Sequence, residues 1–587
     1  MTAHYSHRLA FGANLQADGD TTFRLWAPAC ETMGLVLKDQ PPVAMRAAGD
    51  GWFEAAVPAP AGTRYKYRMP DGLEVPDPAS RLQDGDVHGF SVVIDPTEHE
   101  WHNTDWTGRP WHEAVIYELH PGLMGGFVGI GDHLERLRDI GFTAVELMPV
   151  NDFPGDRNWG YDGVLPYAPD TAYGTPGQLK TLVDRAHGLG LLIYLDVVYN
   201  HFGPDGAYIH AYAGNQFFNE DKHTPWGAAI AHERQPVRDY FIQNAIYWIM
   251  EYRFDGIRFD ALHAILDKSF PDDLAIAIRA AAEPGRHVNL IMEHESNHAD
   301  HLAPGKMDAQ WTDDTHHCFH VLLTGETEGY YADYKDAAAK LARALSEGFV
   351  FQGETNHEGR QRGQPSKHLP TTAFIIFLQN HDQIGNRAMG DRLTTLADPE
   401  ALRAATALLL LAPQIPMLFM GDEYGTNAPF LFFTDHHDEL ADAVREGRRR
   451  EFAGFASFAD EKRRAQIPDP NAIETYQLSR PESGDHDPDM AAEMRVLLGL
   501  RRRHIVGRIP GAASLGAAPL GTAGVVARWA MGDGAELVIA SNFGAEPLAV
   551  DPVDGPLLFE SRKGDAARFA DGQLPARSTV AYLLERT

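Results

Sequence analysis

Cysteine is scarce, with two thiols, Cys30 and Cys318, in 587 residues. They stand far apart in the chain, so neither a disulfide framework nor a thiolate metal cluster is expected, and two reduced thiols of a cytosolic protein are. Basic residues are also in deficit: 51 Lys and Arg face 82 Asp and Glu, a formal charge of −31. Such a surface repels polyanions, so nucleic acid is not an expected partner. No run of about 18 apolar residues occurs, and Met1 to Asn14 has no apolar signal-peptide core. No membrane span is expected, and the cytoplasm is the expected location.

Histidine, by contrast, is plentiful at 28 residues. The densest group, His316, His317 and His320, lies beside Asp313 and Asp314 and reads as the hydrogen-bonding wall of a polar pocket rather than a metal site. No spaced set of oxygen ligands calls for Ca²⁺ either, so no metal and no cofactor is expected.

The length exceeds what one hydrophobic core serves, so a large central domain with smaller companions is expected. Short alternating runs, Phe23 to Trp26, Trp52 to Val57 and Tyr65 to Arg68, are separated by Gly, Pro and Asp clusters and predict a small antiparallel sandwich. From Trp111 to Ile505 the pattern becomes strand and helix in turn. Leu179, Leu182, Val183, Ala186 and Leu189 share one helical face, Gly190 stops it, and Leu191 to Val198 follows as a buried strand. The same order recurs at Val237 to Glu251 before Phe254 to Phe259, and at Ala401 to Leu411 before Met417 to Met420. Repetition of this kind predicts a parallel sheet closed as a (β/α)₈ TIM barrel. Val525 to Ala530, Leu537 to Asn542 and Ser578 to Leu584 predict a last antiparallel β domain. The expected division of this multidomain α/β chain is an immunoglobulin-like β-sandwich over 1–95, a barrel with inserted loops over 96–515, and a C-terminal β-sandwich over 516–587.

Four carboxylates follow apolar runs: Asp196, Asp260, Glu293 and Asp382. On a barrel, strand ends carry the chemistry, and cleaving a glycosidic bond needs one carboxylate to attack or activate water and another to protonate the leaving oxygen. Arg258 and Asp260 leave the same strand face, which favours an ionised, oriented Asp260, although a structural Arg–Asp pair is the plainer alternative. Glu293 ends the apolar strand Leu290 to Met292, whose surroundings raise a carboxyl pKa as a general acid requires. Glu295, two residues on, points to the same side and stays open as a rival.

The segments Asp196 to His201, Gly256 to Ala261, Glu293 and Asn380 to Asp382, in that order, resemble the four signature segments of the α-amylase superfamily of glycoside hydrolases. The resemblance implies a retaining mechanism with Asp260 as nucleophile, Glu293 as acid/base and Asp382 as transition-state stabiliser. It implies that Arg258, His201, His263 and His381 line the subsite of the reacting glucose, with Asp196 in support.

Further segments are similar to the malto-oligosyltrehalose trehalohydrolase family: Glu118 to Gly122, Glu146 to Val150, Asn158 to Val164, Asp313 to His317, Gln379 to Arg387 and Phe432 to Phe452. That resemblance implies hydrolysis of the α-1,4 bond next to the terminal trehalose of a malto-oligosyl trehalose, in trehalose biosynthesis, and brings in malto-oligosyltrehalose synthase as a candidate partner. Trp159 and Tyr161 are then expected to stack on sugar faces, and Asp313, Asp314, His316, His317, Gln383, Asn386 and Asp435 to bind its hydroxyls. A 1,4-α-glucan branching enzyme would share the sandwich, the barrel and the acids, and is the alternative, with a non-catalytic glucan-binding protein as the third reading. The sequence departs from the family in Glu293-His294-Glu295-Ser296-Asn297, and in Leu123 to Phe127, which lacks the usual polar residues.

Overall fold

Eight parallel strands, Ile116–Leu119, Ala144–Leu147, Leu192–Val197, Gly256–Phe259, Asn289–Met292, Ala309–Trp311, Phe374–Ile376 and Ile415–Phe419, pair in chain order and close into a barrel. This architecture comes from a computed structural model that describes residues 4–458 and 460–585. Residues 1–3 and 586–587, which the expected end domains include, lie outside the described residues.

Alternation along each strand decides what faces the barrel axis. Leu192 and Tyr194, Ile291, Ala309 and Trp311, and Ile375 and Phe377 join Ile116, Ala144, Ile415 and Met417 in one buried apolar cluster. Two residues past that layer, on the same inward side, come Glu118, Glu146, Asp196, Arg258 or Asp260, Glu293 and Asp313. The barrel interior is therefore apolar at its N-terminal end and carboxylate-rich at the C-terminal end, where such barrels place their sites. Gly256 permits this closeness, because a Cβ there would stand 2.2 Å from the Asn289 carbonyl oxygen and 2.9 Å from the Tyr194 ring.

The helices follow the expected periodicity. Pro176–Gly188 starts with Pro after a Thr175 capping box and ends before Gly190, whose φ of +73° no ordinary side chain favours. Pro399–Leu411 also begins on Pro, and Gln235–Met250 has Pro236 as its second residue, positions where the missing N–H costs no hydrogen bond.

Before the barrel, a four-stranded antiparallel sheet that includes Asp20–Trp26 and Trp52–Pro58 faces a second sheet built on Gly34–Leu37 and Arg64–Arg68. Phe23, Leu25, Leu35, Tyr65 and Tyr67 fill the space between them. After the barrel, Ala513–Leu520, Gly524–Ala530, Glu536–Asn542, Leu557–Glu560 and Ser578–Leu584 form a five-stranded antiparallel sheet. It packs on the barrel helices Ala337–Glu347 and Pro399–Leu411, and the Thr579 hydroxyl donates to the Ala404 carbonyl at 2.7 Å.

Candidate active site

Arg258 is the centre of the carboxylate layer. Its Nη1 lies 2.6 Å from Asp196 Oδ2 and 2.9 Å from Asp260 Oδ1, and its Nη2 lies 2.6 Å from Glu293 Oε2. The guanidinium also lies over the Trp311 ring at 4.1 Å, which fixes its plane from one side. One buried cation thus serves three carboxyl groups, and it cannot neutralise all three.

The imbalance separates the two acids. Burial opposes ionisation of Asp260, but Arg258, His201 and the Asn200 amide outweigh it and hold its pKa below the usual range. Asn200 Nδ2 donates to Asp260 Oδ2 at 2.8 Å, so each carboxylate oxygen has a fixed donor. Burial raises Glu293 well above an ordinary glutamate, and Asp260, Asp382 and Asp313 add to this against the opposing pull of Arg258. Glu293 Oε2 accepts both Arg258 and the Ala261 amide, at 2.9 Å, which leaves Oε1 to carry the proton. Ala261 holds φ at +40° to aim that amide, a strained backbone placed directly after Asp260. Asp260 is thus built to be charged and Glu293 to be neutral.

Glu295 stands apart. Its side chain is exposed and its charge partner is His263 Nε2 at 3.8 Å, whereas Glu293 shares Arg258 with Asp260.

Asp382 lies past the seventh strand, in the short helix His381–Gly385, capped by the Asn380 side chain. Its side chain is 43% exposed, open to the cleft, and Asn386 Nδ2 donates to its Oδ1 at 3.1 Å. His381 beneath it is buried and forms an ion pair through Nδ1 with Glu118. Burial works against the imidazolium, but Glu118 overcomes it and pushes His381 up to about 9. Tyr161 stacks on the His381 ring at 5.1 Å and donates its hydroxyl to Asp196 Oδ2 at 2.7 Å. Burial raises Asp196 to about 7 despite Arg258.

Three family descriptions match the chain: "Carbohydrate-binding module 48 (Isoamylase N-terminal domain)" over residues 10–78, "Alpha amylase, catalytic domain" over 79–245, and "Domain of unknown function (DUF3459)" over 512–581. A solved Salmonella typhimurium structure, provisionally described as an α-amylase, is 41% identical and superposes with a TM-score of 0.91 over 99% of this chain and 100% of that one. Malto-oligosyltrehalose trehalohydrolase of Deinococcus radiodurans is 39% identical over 84% of this chain and 83% of its own. The enzyme of the same name from Rhizobium sp. is 36% identical over 96% of this chain and 97% of its own. The chain belongs to the malto-oligosyltrehalose trehalohydrolase family.

In this trehalohydrolase-family chain the walls of the cleft differ in part from expectation. Trp159 is 4% exposed, donates its indole N–H to the Leu431 carbonyl at 2.9 Å and stacks on Phe430. It packs the core and does not present a face to sugar. Asp314 is fully buried and accepts from Asn297 at 2.7 Å, from the Val350 amide at 2.8 Å and from Arg362 at 3.2 Å. His316 is buried too, with Nδ1 on the Leu378 carbonyl and Nε2 near the Tyr331 hydroxyl. Asp435 is committed to the Asp156 amide, at 2.9 Å, and to Arg157. These four are corrected from sugar contacts to loop and core anchors, because their polar atoms are already taken by protein.

Asp313 is the member of its group that reaches the site. Gln383 Nε2 donates to its Oδ1 at 3.2 Å, and burial raises it to about 7, with Arg362 opposing and Asp382 adding. His317 packs against Tyr334, with ring centroids 4.8 Å apart. Both ring nitrogens of His201 meet protein atoms, Asn200 Oδ1 and the Tyr161 carbonyl, and its ring face lies under Trp226 at 4.5 Å. Trp226, 48% exposed on the hairpin Phe218–Thr224 and Gly227–Ile230, and Tyr330, 75% exposed, are aromatic surfaces that sequence reasoning missed. It also assigned no part to Glu118 and Glu146, register partners on neighbouring strands. Neither carboxyl oxygen of buried Glu146 has a hydrogen-bond partner among the described residues.

Proposed function

We propose that Asp260 attacks the anomeric carbon, Glu293 protonates the departing oxygen and then activates water, and Asp382 stabilises the transition state of a retaining hydrolysis. The bond is the α-1,4 linkage next to the terminal trehalose of a malto-oligosyl trehalose, and trehalose is released. The observation that carries this reading is the shared guanidinium, which holds a charged Asp260 and a protonated Glu293 on one cation. That arrangement fits the short carboxyl separation, about 5–5.5 Å, of retaining enzymes. Arg258, Tyr161, His201, His263, Asp313, His317, His381, Gln383 and Asn386 are assigned to the walls of the sugar subsites, with Trp226 and Tyr330 as added stacking faces.

The division at 1–95, 96–515 and 516–587 is proposed with it. Two free thiols, Cys30 and Cys318, fit a reducing cytoplasm. No helix among the described residues is long and apolar enough to cross a membrane. Supply of substrate by malto-oligosyltrehalose synthase is the proposed functional association.

The deciding experiment offers malto-oligosyl trehalose and amylose separately. Free trehalose from the first is expected. New α-1,6 branches on amylose, with no trehalose from the first substrate, would establish a branching enzyme instead.

A further inference from the structure

The loop after Glu293 brings three imidazoles together. His294, His298 and His301 each offer a ring nitrogen, and these nitrogens all lie within 4.8 Å of one another. Their ring centroids are 4.4 Å apart for His294 and His298, 5.7 Å for His298 and His301, and 6.2 Å for His294 and His301. His294 and His301 are buried, while His298 is half-buried and leaves the group open on one side.

A plain packing role leaves part of this arrangement unexplained. His301 Nδ1 lies 2.9 Å from Asp272 Oδ1, and Lys306 fixes the other oxygen of that carboxylate at 2.7 Å. In its neutral form His301 carries its proton on Nδ1, which leaves the Nε2 lone pair for an ion, as in the carboxylate–histidine pairs behind metal ligands. Burial, then the neighbouring histidines, hold His294 and His298 below the usual imidazole range, so the rings are neutral donors. The Lys268 ammonium is turned to the carbonyls of His263 and Ile265 at 3.0 and 2.8 Å.

We propose that His294, His298 and His301 form a binding site for a divalent transition cation of the Zn²⁺ class, and that occupancy restrains the strand end that carries Glu293. Three imidazoles and one open position suit a tetrahedral ion such as Zn²⁺ or Co²⁺, and the absence of oxygen donors from the trio disfavours Ca²⁺ and Mg²⁺. With metal–nitrogen distances of about 2.0–2.1 Å, the three nitrogens come to about 3.4 Å from one another, a shift of less than about 1 Å per ring. His294 supplies the coupling. Its Nδ1 now accepts the Ser296 amide at 3.3 Å, so metal on that nitrogen displaces the amide, and metal on Nε2 moves the proton onto Nδ1 and breaks the same bond. Either way the turn directly after Glu293 changes. This second half rests on Glu293 being the acid, and the first does not.

The test uses the full chain stripped with chelator and titrated with Zn²⁺ by calorimetry and with Co²⁺ by its visible absorption. One equivalent is expected, with the absorption of tetrahedral Co²⁺. Combined replacement His298→Ala and His301→Ala is expected to lower affinity at least about 100-fold, and Asp272→Asn about 10–100-fold, the effect of losing the group that orients a ligand. Unchanged circular dichroism of the chelated variants shows that they fold. No stoichiometric binding, or binding equal to wild type in the double variant, overturns the site. Trehalose release is then measured with and without Zn²⁺: a fall in kcat in wild type, absent from the double variant, is expected, and equal kcat overturns the coupling. Because binding is read without turnover, its outcome stands even if the chain releases no trehalose.

Discussion

Asp260 and Glu293 share one guanidinium and yet are driven in opposite directions, because Arg258, His201 and the Asn200 amide outweigh burial at Asp260, while burial and the charges of Asp260, Asp382 and Asp313 outweigh Arg258 at Glu293. Asp260 has Arg258 on one oxygen and Asn200 on the other, while Glu293 has both its donors on Oε2. The rate should therefore rise with pH through a value below the ordinary aspartate range, as Asp260 ionises. It should fall as pH passes a value well above the ordinary glutamate range, where Glu293 loses its proton. Glu293→Gln is expected to lower kcat about 10²–10⁴-fold, the usual weight of general acid catalysis, and to abolish that alkaline limb. A kcat/KM profile measured across pH checks it; an unchanged alkaline limb would assign the limb to another group.

At the scale of elements, the helix Asp313–Thr324 shows how one turn divides between site and scaffold. Asp313 leans toward Gln383 and the cleft, and Asp314, the next residue, turns into the protein to hold Val350, Phe351, Asn297 and Arg362. Asp314→Ala leaves the Arg362 charge, the Val350 and Phe351 backbone amides and the Asn297 side-chain amide without that acceptor. Breaking such a buried pair costs about 3–5 kcal/mol. The urea midpoint is expected to fall with KM little changed, whereas a raised KM at full stability would return Asp314 to the sugar-binding set. The strands and helices themselves were legible, because Leu179 to Leu189 carries a period of 3.6, and Leu191 to Val198 is a short apolar run set off by Gly190, as a buried strand is. The single helical step that separates Asp313 from Asp314 was not, since both are acids and local pattern does not tell which one the core will claim.

For the whole molecule, the C-terminal sheet is part of the barrel's support. Helix Pro399–Leu411 is buried over most of its length between the barrel and the strands Glu536–Asn542 and Ser578–Leu584. Arg577 and Arg562 reach back to Asp398 and Glu400 at 3.1 and 2.9 Å. Removing residues 513–587 would expose that apolar helix face, and a contiguous apolar patch of this kind drives association. The truncated chain is expected to aggregate or to melt well below the full chain, as judged by soluble yield and thermal unfolding. A soluble truncated chain of unchanged melting temperature would show the sheet to be an independent appendage.

The sequence by itself determined the barrel and the flanking β domains and pointed to three acids, because burial periodicity and short signature segments are local properties of a chain. It also placed Glu293 and Glu295 on the same side of the strand exit, and could go no further. Only the tertiary structure sets them apart, by putting Arg258 within reach of Glu293. It likewise withdrew Trp159, Asp314, His316 and Asp435 from the cleft, and brought forward Trp226 and Tyr330. The histidines make the same point: His316, His317 and His320 are the densest in the chain, but the nitrogens that converge belong to His294, His298 and His301. Convergence depends on where loops fold back and which partners saturate each polar atom, and those are distances between residues far apart along the chain.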